Sequence, residues 1–207
     1  MKLWELQASL QQVRDFETPK VMLEQYITPA DSAAVLLYNA DFSYNDIADK
    51  NVCDLGCGTG MLSIGASLLG ASSVKSLDVD EDALVIAREN AQFTDIDNIT
   101  FELTDISKLD ASNHPRFDTV LLNPPFGTKH NKGIDMLFLD KAIELATGAV
   151  YSLHKTSTRN YIVSTLRRRG LQAEAIATLK YDLKKTMKFH KKKNQVIEVD
   201  VIRVAIN

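Results

Sequence analysis

The sequence predicts an α/β fold: a doubly wound, mostly parallel sheet of seven strands with helices on both faces and an antiparallel last strand. Three observations predict it. Short apolar runs alternate with helix-period segments through the middle of the chain, and strands joined through helices need crossovers that leave them parallel. Glycines and acidic residues gather directly after the apolar runs, at the strand ends where an open sheet of this kind binds ligands. The final two apolar runs are separated by a basic segment with no clear crossover helix, so they are expected to pair antiparallel.

Each element follows from its local pattern. Leu3, Leu6, Leu10 and Val13 share one face of an opening amphipathic helix, and a second helix is expected around Ala30 to Leu37. "NVCDLG" is a short apolar strand ending in glycine, and "MLSIGASLLG" has helical spacing with Gly70 as its cap. "SVKSLDVD" is a second strand. The helix "EDALVIARENAQF" follows, with acids in its first turn where the helix dipole favours them. "NITFELTDI" alternates apolar and polar residues as a third strand, and "DTVLLN" is a fourth, buried on both faces. The helix "DMLFLDKAIELATG" leads to the strand "AVYSLH", and the helix "STRNYIVSTLRRR" to the last strands, "LQAEAIATL" and "QVIEVDVIRVAI". No repeat or linker rich in Pro, Gly or Ser interrupts the series, so residues 1–207 read as one domain.

Bulk composition narrows the function. With 207 residues, 45% hydrophobic and 25% charged, the chain can bury a core without staples. "MKLWELQASLQQV" carries charges and no continuous apolar core, so no secretory signal is expected. No run approaches a membrane span, and a soluble intracellular protein is expected. Cys53 and Cys57 offer only half a zinc site, and the four histidines are scattered, so no metal is expected in this chain. The net charge of −3 conceals a polarity: residues 1–150 hold 11 of the 24 Lys and Arg but 23 of the 27 acids, a balance of −12, leaving +9 for residues 151–207. Such asymmetry hints at nucleic acid at one end of the molecule, although charge runs also serve as plain solvated surface.

The chemistry lies at the strand ends. "DLGCGTGML" sets Asp54 at the end of the first strand and Gly56, Gly58 and Gly60 before the helix, where a ligand can approach bare backbone. A dinucleotide fingerprint would need glycine at position 61, which is Met61, and this weakens an NAD reading. Asp78 ends the second strand, suited to accept hydrogen bonds from two ribose hydroxyls. Asp105 ends the third and could accept from an adenine amino group, with Met61 and Ile106 offering apolar surface to the ring. Asp80, Glu81 and Asp82 are better read as helix-start acids. "DTVLLNPPFG" stops its strand at Pro124 and Pro125, which cannot join a ladder. Asn-Pro also begins ordinary turns, and Phe126 could simply pack onto the core.

The series "DLGCGTG", "SLDVD", "LTDI" and "LLNPPFG" resembles class I S-adenosylmethionine-dependent methyltransferases that act on planar amino groups. "LEQYITP", "GIDMLFL", "VYSLHKTSTR", "KFHKKK" and "IEVDVIR" extend the resemblance over essentially the whole chain to the eukaryotic methyltransferase-like protein 5 family. That resemblance implies a Rossmann-like methyltransferase domain whose N-terminal helical segment, residues 1–40, completes the cofactor site. It implies N6-methylation of one adenosine in 18S ribosomal RNA, with S-adenosylhomocysteine as the product. It further implies a heterodimer with a small zinc-binding activator, and action in the nucleus, including the nucleolus, and the cytoplasm. Gln25, Thr28, Gly56, Thr59, Met61, Asp78 and Asp105 would contact the cofactor. Thr59 departs from the small residue, such as Cys, of the family pattern, a change that backbone contacts should survive.

Under this reading the Asn123 side-chain oxygen and the Pro124 carbonyl accept from the two N–H bonds of the adenine amine, favouring the geometry in which its lone pair attacks a methyl group. Pro125 stiffens the turn, and an exposed Phe126 stacks on the extruded base. The basic loop 180–194, with Lys184, Lys185, Lys188, Lys191, Lys192 and Lys193, is expected to contact RNA phosphates. The third strand, Ile99 to Leu103, is expected at a sheet edge open to the activator. A protein glutamine N5-methyltransferase, or a non-catalytic RNA scaffold that binds S-adenosylmethionine, remains an alternative.

Overall fold

The computed structural model describes residues 1–110, 112, 114–127, 131–184 and 194–206. Seven strands form one sheet: β1 (Asn51–Leu55), β2 (Ser73–Asp78), β3 (Ile99–Leu103), β4 (Phe117–Leu122), β5 (Ala146–Lys155), β6 (Gln172–Lys184) and β7 (Asn194–Ala205). Their order is β3-β2-β1-β4-β5-β7-β6. The pairs from β3 to β5 are parallel, while β7 runs antiparallel to both β5 and β6. Strand order reverses between β1 and β4, so the chain leaving their carboxyl ends diverges and opens a crevice there.

Side-chain alternation builds two cores from one sheet. Leu121, Tyr151, Leu153 and Val201 join the cluster formed with helices α1 (Leu3–Leu10), α2 (Ala30–Phe42) and α3 (Met61–Leu68). Val120, Leu122, Val150 and Ile202 point the other way, into the cluster with α5 (Ile134–Leu145) and α6 (Arg159–Arg168). Strands buried on both faces are the reason "DTVLL" reads as an unbroken apolar run. Helix α4 (Glu81–Phe93) packs along β2 and β3. Its N-cap, Asp80, accepts the amide N–H of Asp82, as expected of helix-start acids.

Four boundaries differ from expectation. Helix α1 ends at Leu10, so Val13, though buried, lies beyond it. Helix α2 runs to Phe42, past Leu37, because Ala40 is also buried. Helix α5 ends at Leu145 and β5 starts at once, so "ATG" is strand and not helix tail. A Cβ on Gly148 would lie 2.8 Å from the Asp118 carbonyl oxygen, and only glycine allows that approach, beside an irregularity in the β4–β5 register. The basic segment expected as loop over 180–194 is strand at both ends of that range, and residues 185–193 lie outside the described residues. Strand β6 continues through Lys184 and β7 begins at Asn194, with Tyr181 fully buried on the sheet. Alternating Tyr181 and Leu183 are a strand signal that the lysines obscure.

Candidate active site

The crevice at the switch point is a cleft of about 350 Å³. Its floor is the turn after β1. Gly56 and Gly58 have positive φ, and a Cβ there would lie 3.0 Å from the Phe138 ring and 2.9 Å from the Phe16 ring. The two aromatic rings therefore close on the backbone from opposite parts of the chain, which leaves the glycine loop narrow and bare. Thr59 and Met61, both nearly fully buried, also line the cleft.

Of the carboxylates that line it, the three at strand ends stand in different electrostatic states. Asp78 accepts the Gly58 amide N–H at 2.8 Å on one oxygen and the Asp80 amide N–H at 3.0 Å on the other. Each oxygen keeps a lone pair for a further donor. Burial raises its pKa against those hydrogen bonds. Asp105 caps the short 3-10 turn Ile106–Lys108, and hydrogen bonds from Ser107 and Lys108 hold its carboxyl below the usual range. Asp54 is buried, accepts from the Ser63 hydroxyl at 2.5 Å, and leaves Oδ1 with no partner among the described residues. Burial pushes its carboxyl up to about 7, outweighing the Ser63 bond.

That orphan oxygen makes a testable consequence. From the ordinary Asp value of about 4 up to about pH 7, the unfolded chain has released the Asp54 proton and the folded chain still holds it, so rising pH favours unfolding. Replacing Asp54 with Asn removes this contribution. Thermal melts from about pH 5 to about pH 8 should show the variant losing less stability than the native chain; parallel curves would refute the assignment. A cationic ligand group in the cleft would supply the missing partner.

A further part of the cleft wall comes from "NPPF". Asn123 and Pro125 line the cleft, and Pro124 is buried. Asn123 Nδ2 donates to Thr28 Oγ1 at 2.8 Å, and its Oδ1 accepts from the Tyr26 hydroxyl at 3.2 Å. Phe126 corrects an expectation: it is not an exposed platform but is half-buried, packed on the core with ring centroids 5.5 Å from Tyr26 and 6.5 Å from Tyr181. Lys155 Nζ sits 5.5 Å from the same ring. Burial in an aromatic cluster outweighs exposure for so large an apolar group.

The N-terminal segment forms the remaining side. Gln25 lines the cleft, but its amide is engaged, donating to Asp80 at 2.6 Å and accepting from the Lys20 N–H at 2.7 Å. Lys20 Nζ bonds Asp80 at 2.5 Å as well. Burial pushes the Asp80 carboxyl up, yet those hydrogen bonds prevail and hold it below its ordinary value. Tyr26, Phe16, Met22, Asn131, Ile134 and Phe138 also line the cleft, and none was singled out from sequence. Tyr26 lay within the quoted "LEQYITP", but no local period marks a contact 97 residues away.

Other expectations distribute as follows. Cys53 and Cys57 are free and buried, and burial raises both thiols. Among the described residues no group of three His, Cys, Asp or Glu side chains could hold a metal, and no helix is long and apolar enough to cross a membrane. Lys185, Lys188, Lys191, Lys192 and Lys193 lie outside the described residues, and Lys184 is placed only as the last residue of β6.

A seven-stranded sheet with a reversed last strand, a glycine turn after β1, acids after β2 and β3 and "NPPF" after β4 defines a class I methyltransferase. A family model described as "Methyltransferase domain" matches residues 47–199. The chain is 51% identical to the rRNA N(6)-adenosine-methyltransferase METTL5 of Danio rerio, over 98% of both proteins. It is 46% identical to the Mettl5 enzyme of the same description from Drosophila melanogaster, over 100% of this chain and 97% of that protein. The crystal structure of PH1948 from Pyrococcus horikoshii superposes with a TM-score of 0.87 at 37% identity, covering 100% of this chain and 98% of that one. The chain belongs to the METTL5 family of rRNA N(6)-adenosine-methyltransferases.

Proposed function

We propose that the chain methylates the N6 amine of one adenosine in 18S ribosomal RNA, as the catalytic subunit of a heterodimer acting in the nucleus, including the nucleolus, and the cytoplasm. The observation that carries this reading is Asn123, a neutral amide held in the wall of the cleft that the glycine loop and Asp78 also line. The cleft residues fit S-adenosylmethionine: Asp78 offers two lone pairs to a ribose, Asp105 with Ile106 and Met61 suits an adenine, and Asp54 awaits a cationic partner. When bound, that cofactor supplies an electrophilic methyl group and leaves as S-adenosylhomocysteine.

The rest is positioning. An adenine amine is a weak nucleophile because its lone pair is shared with the ring. Asn123 Oδ1 and the Pro124 carbonyl favour its attack by accepting from its N–H bonds as positive charge develops there. The restricted φ of Pro124 and Pro125 keeps those acceptors in place without an entropy cost at each turnover. No protein base is needed, since the alkylated amine is acidic enough to give its proton to water. Tyr181 of β6 lies beside Phe126, and Lys184, Lys185, Lys188, Lys191, Lys192 and Lys193 follow it closely in sequence. Lysines there suit phosphate contacts.

The partner proposed is a small zinc-binding activator docking at β3. That strand is the sheet edge, Leu103 is 56% exposed, and Phe93 of the adjacent α4 is 72% exposed. An unpaired edge flanked by apolar side chains is a template for strand addition. Leu103→Asp changes an exposed residue and should leave the fold intact while abolishing co-purification with the activator; undiminished recovery of the pair would relocate the interface.

Incubating the heterodimer with labelled S-adenosylmethionine and either ribosomal RNA or total protein tests the substrate. Label in RNA is expected. Label in protein would point to glutamine methylation, and label in neither to a scaffold.

A further inference from the structure

The catalytic amide is held from outside the matched methyltransferase domain. The family model begins at residue 47, yet the Asn123 side chain is hydrogen-bonded to residues 26 and 28, accepting from the first and donating to the second. An asparagine side chain has two nearly equivalent settings about its terminal torsion. One setting turns an acceptor toward a given neighbour, and the other turns a pair of N–H donors. For accepting from a substrate amine only the first is useful, because the second would set donor against donor.

Two hydroxyls flank this amide, and they are not alike. The Tyr26 phenol is the better donor and the poorer acceptor, because its oxygen lone pair is delocalised into the ring. The Thr28 alcohol accepts readily. The phenol therefore pairs with Oδ1 and the alcohol with Nδ2, which is the observed arrangement. The ring is half-buried, and desolvation of the phenol holds it protonated by raising its pKa well above the ordinary value. The ring cannot swing away, being packed edge-on to Tyr181 at 6.5 Å and tilted against Phe126 at 5.5 Å. Just before it, Gln25 and Lys20 tie the segment to Asp80, whose amide N–H is bound by Asp78.

We propose that Tyr26 is a positioning residue of the methyl-transfer reaction: its hydroxyl fixes the plane and the sense of the Asn123 amide, so that Oδ1 is presented as an acceptor before substrate arrives. This rests on the reading of Asn123 as the acceptor of the substrate amine. The N-terminal segment is thereby part of the catalytic centre and not only a cover for the cofactor cleft.

Tyr26→Phe deletes the hydroxyl and keeps the ring packing. In the heterodimer its single-turnover rate on ribosomal RNA should fall about tenfold, the size of one ordinary hydrogen bond. The calorimetric dissociation constant for S-adenosylmethionine should change by less than about twofold, since uniform binding is untouched. The same substitution placed in an Asn123→Ala background should lower the residual rate by less than about twofold, because a residue acting through Asn123 has nothing left to position. An undiminished rate in Tyr26→Phe overturns the proposal, as does a loss of cofactor affinity large enough to explain the rate. A further tenfold fall in the double variant overturns it too. Full activity of Asn123→Ala alone would instead overturn the underlying reading of Asn123, which keeps the two failures apart.

Discussion

Asn123→Ala should lower kcat about 100-fold, with the S-adenosylmethionine dissociation constant changed by less than about twofold. The first figure follows from the loss of one preorganised group facing developing charge, about 3 kcal/mol by analogy with oxyanion-hole donors, at about 1.4 kcal/mol per tenfold in rate. The second follows from the cofactor side of the cleft, where Asp78 bonds Gly58 and Asp80, and Asp105 bonds Ser107, while Asn123 bonds Tyr26 and Thr28. Stability should fall by only about 1 to 2 kcal/mol, the usual cost of a few lost side-chain bonds at a half-buried position. Single-turnover assays on ribosomal RNA with parallel calorimetry separate these quantities. Undiminished methylation by a folded, cofactor-binding variant would remove the basis of the mechanism.

Asp78→Ala should show the opposite signature. Its carboxylate accepts the Gly58 N–H and also holds the Asp80 N–H, while keeping lone pairs toward the cleft. Bonds to an ionised acceptor are worth about 1.5 to 3 kcal/mol each. The cofactor dissociation constant should therefore rise about 100-fold. At saturating cofactor the rate should recover to within about tenfold of native, because Asn123 and its hydroxyl partners are untouched. Titration calorimetry and rates measured against cofactor concentration check both halves. A variant that binds cofactor normally but turns over slowly would assign Asp78 to the reaction and not to binding.

Much of the site was legible along the chain because its pieces are strand ends. Asp54, Asp78 and Asp105 each follow an apolar run, and the glycines mark a turn that side chains would block; these are local signals. The resemblance in "NPPF" placed the reacting wall in the same way. Phe126 was harder. Its neighbours in sequence predict exposure after a strand, but Tyr26 and Tyr181, distant in the chain, draw it into an aromatic cluster. The continuation of β6 through Lys184 was hidden because lysine-rich composition reads as loop, whereas the long antiparallel pairing with β7 supplies the ladder that composition does not announce.

From the sequence alone came the order of strands and helices, the parallel sheet with its reversed last strand, and the acids at the strand ends. All of these rest on periodicity and turn chemistry within a few residues. Tertiary structure decided what covers the cleft and what holds the reacting amide. Residues 16 to 28 carry no period that points to Asn123, and its bonds with Tyr26 and Thr28 exist only because the packing of α1 and α2 against α3, and of α2 on β6, returns that segment to the carboxyl ends of β1 and β4. Contacts closing loops of nearly a hundred residues are set by the global packing minimum, which no short window of sequence encodes.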